Sequence, residues 1–150
     1  GPYEISRGFL PFNTTSIPEN AEIISANLSF RVGNRFSNDS DNQDYIAVFQ
    51  STQQSSSTLT VTDYDECDMF DPVEAGRRNI NQLSIGRNYI NFNSTGISFI
   101  TPGNWTKLCF RTGNDIMDIT PNGEEWVAIY SSDHSNPIAW PKLHVTYLLP

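Results

Sequence analysis

Hydrophobic and polar residues alternate with a period of two along much of this chain. In the stretch IISANLSFRV (23–32), every second residue from Ile24 to Val32 is apolar, and the residues between them are polar. This is the pattern of a β-strand that has one buried face. It also places Asn27 on the outer face of the predicted strand.

Similar short segments follow one another along the chain, and polar stretches separate them. Strands are also predicted at residues 7–12, 44–50, 58–62, 82–85, 89–93, 106–111, 125–131 and 142–149. Pro11 indicates that the first of these is an edge strand or contains a bulge, because proline has no N–H to donate. The connections 32–43 and 51–57 are polar and are predicted to be loops.

One stretch, STGISFITPG (94–103), predicts a helical turn, because Ile97 and Ile100 are three residues apart and Pro102 follows them. No long helix and no internal repeat is indicated elsewhere. About eight short strands in a single chain are typical of β-sandwiches. We therefore predict an all-β fold, a two-sheet antiparallel β-sandwich of the jelly-roll type, with at most one short helical turn.

The composition fits one domain with a hydrophobic core, since apolar residues make up 37% of the 150 residues. We predict a single β-sandwich domain over residues 3–150. Gly1 and Pro2 resemble a cloning scar left by a protease, which indicates a domain excised from a larger chain. No run of about 18 apolar residues predicts a transmembrane helix.

The charge balance argues against two classes of partner. Nine Lys and Arg residues stand against seventeen Asp and Glu residues, and the formal net charge is −8. Nucleic-acid phosphates attract proteins with the opposite balance, so we predict no nucleic-acid partner. Anionic membrane surfaces are disfavoured for the same reason, and we predict no membrane insertion.

Several asparagines lie in the Asn-X-Ser/Thr sequence that N-linked glycosylation requires. These sequons are at Asn13, Asn27, Asn38, Asn93 and Asn104. Their number indicates an extracellular or cell-surface location. In such a location, a disulfide between the two cysteines, Cys67 and Cys109, is the expected state, and two unpaired thiols are the alternative.

The disulfide would have a definite position in the fold. Leu108 and Phe110 share the inward face of their predicted strand, so Cys109 points outward. Cys67 lies in an acidic loop, and its pairing with Cys109 would fix that loop over the outer face of a sheet. The entropy model assigns such a bond about 3–4 kcal/mol.

Three stretches of the chain together resemble the DNRLRE, or disaggregatase-related, repeat family. They are RGFLPFNTTSIPENAEIISANLSF, INFNSTGISFITPGNWTKLCFR and SSDHSNPIAWPKLHVTY. The residues that match the family's pattern are Arg7, Phe12, Ile17, Pro18, Ile23, Ala26, Leu28, Ser131, Ser132, Asp133, Pro141, Leu143, Val145 and Tyr147. The resemblance spans nearly the whole chain. At Asp133 the family's pattern has Glu, and the DYDECD segment is more acidic than the pattern.

This resemblance implies a jelly-roll sandwich of extracellular proteins that accompanies enzymes or belongs to surface proteins. Some members of the family are similar to carbohydrate-binding modules that bind polysaccharides such as alginate. Because one fold serves many functions, the resemblance implies the fold more strongly than the ligand.

The segment TDYDECDMFD is rich in carboxylates that repel one another unless they are solvated or bind a cation. Oxygen ligands at alternating positions suit Ca²⁺. We therefore consider Asp63, Asp65 and Asp68 as ligands of a structural calcium ion, which Asp115 and Asp118 would complete if their loop folds nearby. A solvated acidic loop is the alternative. The spacing lacks the Gly and the distant Glu of an EF-hand loop.

Exposed aromatic rings are the usual stacking partners of sugars. Trp105 and Trp140 lie next to predicted strand ends, and Tyr64 and Tyr89 accompany them as candidate ligand-binding residues. Packing in the core or at its rim is the alternative for each ring. Trp126 begins a predicted strand and is expected to pack.

The segment Ser132-Asp133-His134 contains the side chains of a nucleophilic triad, but we predict that it is a turn. Adjacent residues in extended backbone point to opposite sides, so they do not form a relay. No Gly-X-Ser-X-Gly sequence accompanies them. His144 lies between two apolar residues, on the polar face of the last strand. We predict no catalytic residues and no enzyme.

The sequence thus predicts a non-catalytic extracellular module that binds polysaccharide or attaches its parent protein to a cell surface. Its partners would be polysaccharides or cell-surface glycans and the neighbouring domains of a larger chain. The alternative is a structural subunit or stalk domain of a surface filament, adhesin or virus particle, with no glycan ligand.

Overall fold

A computed structural model of the protein describes residues 3–38, 40–70 and 72–150, which contain eight β-strands. The strands are β1 (Gly8–Asn13), β2 (Glu22–Ser37), β3 (Tyr45–Gln50), β4 (Gly76–Asn79), β5 (Gly86–Asn91), β6 (Trp105–Thr112), β7 (Glu125–Ile129) and β8 (Lys142–Leu148). The predicted scar Gly1-Pro2 lies outside the described residues, as does Asp71 of the acidic loop.

The strands form two antiparallel sheets that pack face to face. Sheet A has the order β1-β6-β3-β4, and sheet B has the order β5-β2-β7, with β8 also paired to β2. β8 pairs with the first half of β2 and β7 with its second half, along the same edge. The predicted two-sheet antiparallel β-sandwich is confirmed.

Two predicted strands are wrong, because side chains bond locally to the backbone there. At 58–62 the chain instead enters a 3-10 helix, Val61–Asp65. The side chain of Asp63 fixes the start of this helix by accepting hydrogen bonds from the N–H and the hydroxyl of Thr60. The strand predicted at 82–85 instead lies earlier in the chain, as β4 (Gly76–Asn79). The 3-10 helix Ile80–Gln82 follows it, capped by Asn79.

The predicted helical turn is present as α1 (Ser94–Phe99), and a second short helix, α2 (Gly113–Met117), was not predicted. Asn93 caps α1 by accepting a hydrogen bond from the Gly96 N–H. Among the described residues, no helix is long and apolar enough to cross a membrane.

The main core lies between the sheets, where Leu28 and Phe30 of β2 are fully buried. β3 is buried on both faces. The segment between β3 and β4, which we call the covering segment, folds back over the outer face of sheet A in its described part. Under this segment, Phe49 packs with Cys67 and Cys109 in a second, smaller apolar cluster. The two cysteines form a disulfide, which confirms the predicted bond and its position.

Candidate functional site

The outer face of sheet B carries a compact group of basic side chains. Strand pairing places Arg31 opposite Arg87, and it places Ser29 between Tyr89 and Lys142. The outward residues of these three strands form what we call the basic face: Asn27, Ser29, Arg31, Arg87, Tyr89, Lys142 and His144. Its members arise from the alternation of inward and outward residues along β2, β5 and β8.

Ser29 lies at the centre of the basic face and is 1% exposed. Arg87 crosses above it and donates to the Ser29 hydroxyl at 3.3 Å. The same guanidinium donates to the carbonyl of Trp140 at 3.0 Å and to the carbonyl of Ile138. His144 Nε2 lies 3.4 Å from the Ser29 hydroxyl. The hydroxyl and the two carbonyls that accept from Arg87 are neutral, so they orient its guanidinium without compensating its charge.

The basic face contains no carboxylate to balance its cations. None of the four described ion pairs involves Arg31, Arg87 or Lys142. Arg31 and Arg87 are also directly opposite each other, and like charges in that position repel. On a chain with a net charge of −8, this face is a local positive region.

Two of the four predicted ligand-binding aromatics lie at this basic face. Tyr89 is part of it and is 52% exposed. Trp140 lies beside it, after the 3-10 helix Pro137–Ala139, and its indole N–H donates to the carbonyl of His134 at 2.7 Å. That hydrogen bond fixes a ring that remains 38% exposed.

The other two predicted aromatics lie on the opposite side of the sandwich. Tyr64 belongs to the covering segment of sheet A, where the guanidinium of Arg7 stacks 4.0 Å from its ring centroid. Trp105 begins β6 and points outward from sheet A, opposite Asn13 of β1. The structure therefore does not join the four rings into one site.

Trp126 does not pack in the core, contrary to expectation. It lies on the outer face of sheet B, 38% exposed, and its ring stacks on Phe36 with a centroid separation of 6.3 Å. The signal was present in the sequence. Trp126 alternates with Val127 and Ile129, which face the core, so periodicity places the tryptophan outside.

A cleft of about 790 Å³ opens between the β1 edge of sheet A and the β7 edge of sheet B. Its apolar lining includes Leu10, Phe110 and Val127, and the segment 3–7 runs along it. Trp126 and Tyr130 contribute to its rim. Sequence reasoning missed this cleft, because its walls come from segments that are more than a hundred residues apart.

Asp115, considered above as a further calcium ligand, lies at the centre of a buried ion cluster. It accepts two hydrogen bonds from Arg7, at 2.8 and 2.7 Å, and one of 2.9 Å from Arg111 Nε. Burial by itself raises the pKa of the Asp115 carboxyl, but the hydrogen bonds from the two arginines outweigh burial and hold the pKa below its ordinary value. Arg111 also donates to the Asp68 carbonyl, so the cluster supports the acidic loop.

The three carboxylates predicted to bind calcium have separate local roles. Asp63 accepts hydrogen bonds from Thr60 and from the Gln54 N–H, and these lower the pKa of its carboxyl. Asp65 is largely exposed, and Asp68 accepts from the Val73 N–H. Within the described ranges, no three His, Cys, Asp or Glu side chains are grouped to hold a metal ion. Calcium binding stays a prediction that melting with and without a chelator tests.

The residues of the apparent triad lie in a turn. His134 Nδ1 accepts a hydrogen bond from the Asn136 N–H, and the Asp133 N–H donates to the Ser131 hydroxyl. The His134 ring packs on Tyr130, 4.8 Å between centroids. These hydrogen bonds stay within the turn, and no described hydrogen bond joins the side chains of Ser132, Asp133 and His134 into a relay.

Comparisons with models of protein families, with curated proteins and with solved structures find no match for this chain. Membership of the disaggregatase-related family therefore stays a prediction.

Proposed function

We propose that this domain is a non-catalytic module that binds an anionic polysaccharide on the basic face of sheet B. The observation that carries the proposal is the placement of Arg31, Arg87 and Lys142 on one sheet face, outside the four described ion pairs. An anionic polymer would relieve the repulsion between the two arginines and would supply the missing counter-charge.

The side chains of the basic face suit a charged sugar polymer. Guanidinium groups bind carboxylates and sulfates through paired N–H donors. The exposed ring of Tyr89 and the ring of Trp140, fixed by its indole hydrogen bond, offer flat surfaces for the C–H faces of sugar rings. A sheet face is also flat and open at its ends, which suits a long chain rather than a small molecule.

The affinity of such a surface comes from several weak contacts. Exposed ion pairs contribute up to about 1 kcal/mol each, and salt screens them. A polymer that repeats the same charged unit can occupy several contacts at once. We therefore expect moderate affinity that decreases steeply as salt concentration increases.

The test is a binding measurement on immobilised polymers: a polyuronate, a sulfated glycan and a neutral glucan. We expect binding to an anionic polymer, and we expect Arg31→Gln to weaken it about five-fold. Arg77→Gln is the matched control, because it removes the same positive charge from sheet A. Arg77 pairs there with Glu74. Equal effects of the two substitutions, or no binding to any polymer, would reject the proposal.

We also propose that the protein is extracellular or attached to a cell surface. The buried Cys67–Cys109 disulfide supports this location, because disulfides persist in oxidising compartments. Alkylation of the denatured protein after isolation from its native source tests it. Modified cysteines in the absence of reductant would contradict the proposal.

A structural role without a glycan ligand is the second candidate function. The apolar cleft and the free edges of β1 and β7 favour it, since open strand edges are sites where other chains add strands. Light scattering over a range of protein concentrations separates the two functions. Assembly without any polysaccharide binding would favour the structural role.

A further inference from the structure

The end of β1 forms a tight local turn around the sequon Asn13-Thr14-Thr15. The Asn13 Oδ1 accepts a hydrogen bond of 2.6 Å from the Thr15 hydroxyl and one of 3.1 Å from the Thr15 N–H. Both bonds join residues two apart in the sequence, so the turn can form before the domain has folded. Asn13 is exposed, and no described residue accepts a hydrogen bond from its Nδ2.

Trp105 is the cross-strand neighbour of Asn13 in sheet A. Leu108 and the fully buried Thr106 face the core, so alternation along β6 turns Trp105 outward, onto the same face as Asn13. Directly opposite residues in antiparallel strands have Cβ atoms about 5 Å apart. A sugar attached to Asn13 would therefore start beside the indole ring.

We infer that Asn13 is a site of N-linked glycosylation and that the first sugar of its glycan packs on Trp105. The inference does not depend on the polysaccharide ligand, because Asn13 and Trp105 lie in sheet A and the basic face lies in sheet B. It assigns Trp105 to the protein's own glycan rather than to an external ligand.

The chemistry is the transfer of an oligosaccharide from a lipid pyrophosphate donor by a membrane transferase. The Asn13 Nδ2 attacks the anomeric carbon of the first sugar and forms a C–N bond. The bond between that carbon and the pyrophosphate oxygen breaks, and the lipid pyrophosphate leaves. One amide proton passes to solvent, and no oxidant or reductant is needed. The hydrogen bond from the Thr15 hydroxyl polarises the amide that reacts.

Two other sequons have side chains that the fold already uses. Asn93 caps α1 through Oδ1, and its Nδ2 donates to the Glu74 carbonyl at 3.0 Å. Asn27 Oδ1 is buried without a hydrogen-bond partner among the described residues, and Ser29 of the same sequon is 1% exposed at the centre of the basic face. A glycan at Asn93 would remove its hydrogen bonds, and the buried side chains of the Asn27 sequon leave little access for a transferase. We expect both positions to be unmodified in the folded, secreted protein.

The first experiment is secretion of the whole chain from a eukaryotic host, followed by peptide mass spectrometry of every sequon. We expect a glycan at Asn13 in wild type and in Thr15→Ser, and none at Asn13 in Thr15→Ala. Asn27 and Asn93 are expected to be unmodified. Secreted wild-type protein with an unmodified Asn13, or with a glycan at Asn93, would overturn the assignment.

The second experiment tests the contact with Trp105 by thermal unfolding. An endoglycosidase that leaves one sugar should not change the melting temperature. An amidase that removes all sugars should lower it by about 2–4 °C, the shift that one stacking contact produces in a domain of this size. In Trp105→Ala the amidase should not change the melting temperature. The amidase converts Asn13 to Asp in this variant as it does in wild type, so the variant also controls for that conversion.

Equal losses of melting temperature in wild type and Trp105→Ala would overturn the contact. If Trp105→Ala is not secreted, Trp105→Phe replaces it, with a smaller loss expected than in wild type. A loss in Trp105→Phe as large as that of wild type would reject a contact with the indole.

Discussion

Arg7 and Asp115 are 108 residues apart in the sequence and form a two-point ion pair in which both side chains are almost fully buried, 4% and 3% exposed. Arg111 completes the cluster from the other side. Arg7 immediately precedes β1, Arg111 lies in β6 and Asp115 lies in α2. The pair therefore ties the beginning of β1 to the short helix that follows its neighbouring strand β6.

Removing the charge of Asp115 should be severely destabilising. Asp115→Asn keeps the size of the side chain but leaves the buried guanidinium of Arg111 without a counter-charge and that of Arg7 with only the exposed Asp65, 3.8 Å away, which costs about 3–5 kcal/mol. Urea denaturation measures the change in the free energy of unfolding. The control is Glu74→Gln, which breaks the more exposed pair with Arg77 and should cost less than about 1 kcal/mol. Equal costs for the two variants would contradict the importance of burial.

The stability of the wild-type protein should decrease in acid, partly through Asp115. Its pKa is lower in the folded state than in the unfolded chain, where it is about 3.9. This carboxyl therefore stabilises the fold fully above pH 4–5 and loses its contribution as pH falls through the folded pKa. The difference in unfolding free energy between wild type and Asp115→Asn should shrink between about pH 5 and pH 2. A constant difference over that range would show that Asp115 does not titrate with folding.

The disulfide should be a major contributor to stability. Its cysteines are 42 residues apart, and the entropy model gives about 3–4 kcal/mol for closing a loop of that length. Cys67→Ala with Cys109→Ala should lower the free energy of unfolding by that amount, measured in urea. Reductant should destabilise wild type and leave the double variant unchanged. An effect of reductant on the double variant would point to a cause other than this bond.

Tyr89 should contribute to polysaccharide binding through its ring. Tyr89→Ala removes a stacking surface worth about 1 kcal/mol, so the dissociation constant for an anionic polymer should increase about five-fold. Tyr64→Ala is the control, because Tyr64 lies over the opposite sheet, under Arg7. Calorimetric titration of both variants decides the point. A loss of affinity for Tyr64→Ala alone would place the ligand over sheet A.

The sequence predicted the parts of the fold that depend on local pattern. The alternation in β2 gives its inward residues from Ala26 to Val32, and the pattern around Cys109 gives the outward direction of that cysteine. The alternation is wrong for Ile24, which is exposed, because a register shift between Ile23 and Ser25 turns Ile23 toward the core instead. The ion pair of Arg7 with Asp115 is different, since no local pattern marks two residues that meet only after folding. For the same reason, the sequence identified Tyr89 and Trp140 only as separate candidates and did not show that they lie at the same face. Their common location follows from the pairing of β5 and β8 with β2.

The segment locked over sheet A has a consequence for how the domain meets its surroundings. The disulfide and Arg111 hold this segment against sheet A, so β3 lies between the segment and sheet B rather than at the surface. Among the described residues, the basic face on the far side is a strand surface that this segment leaves uncovered. Under the proposed function, the orientation of sheet B would therefore set the side from which a polymer reaches the domain.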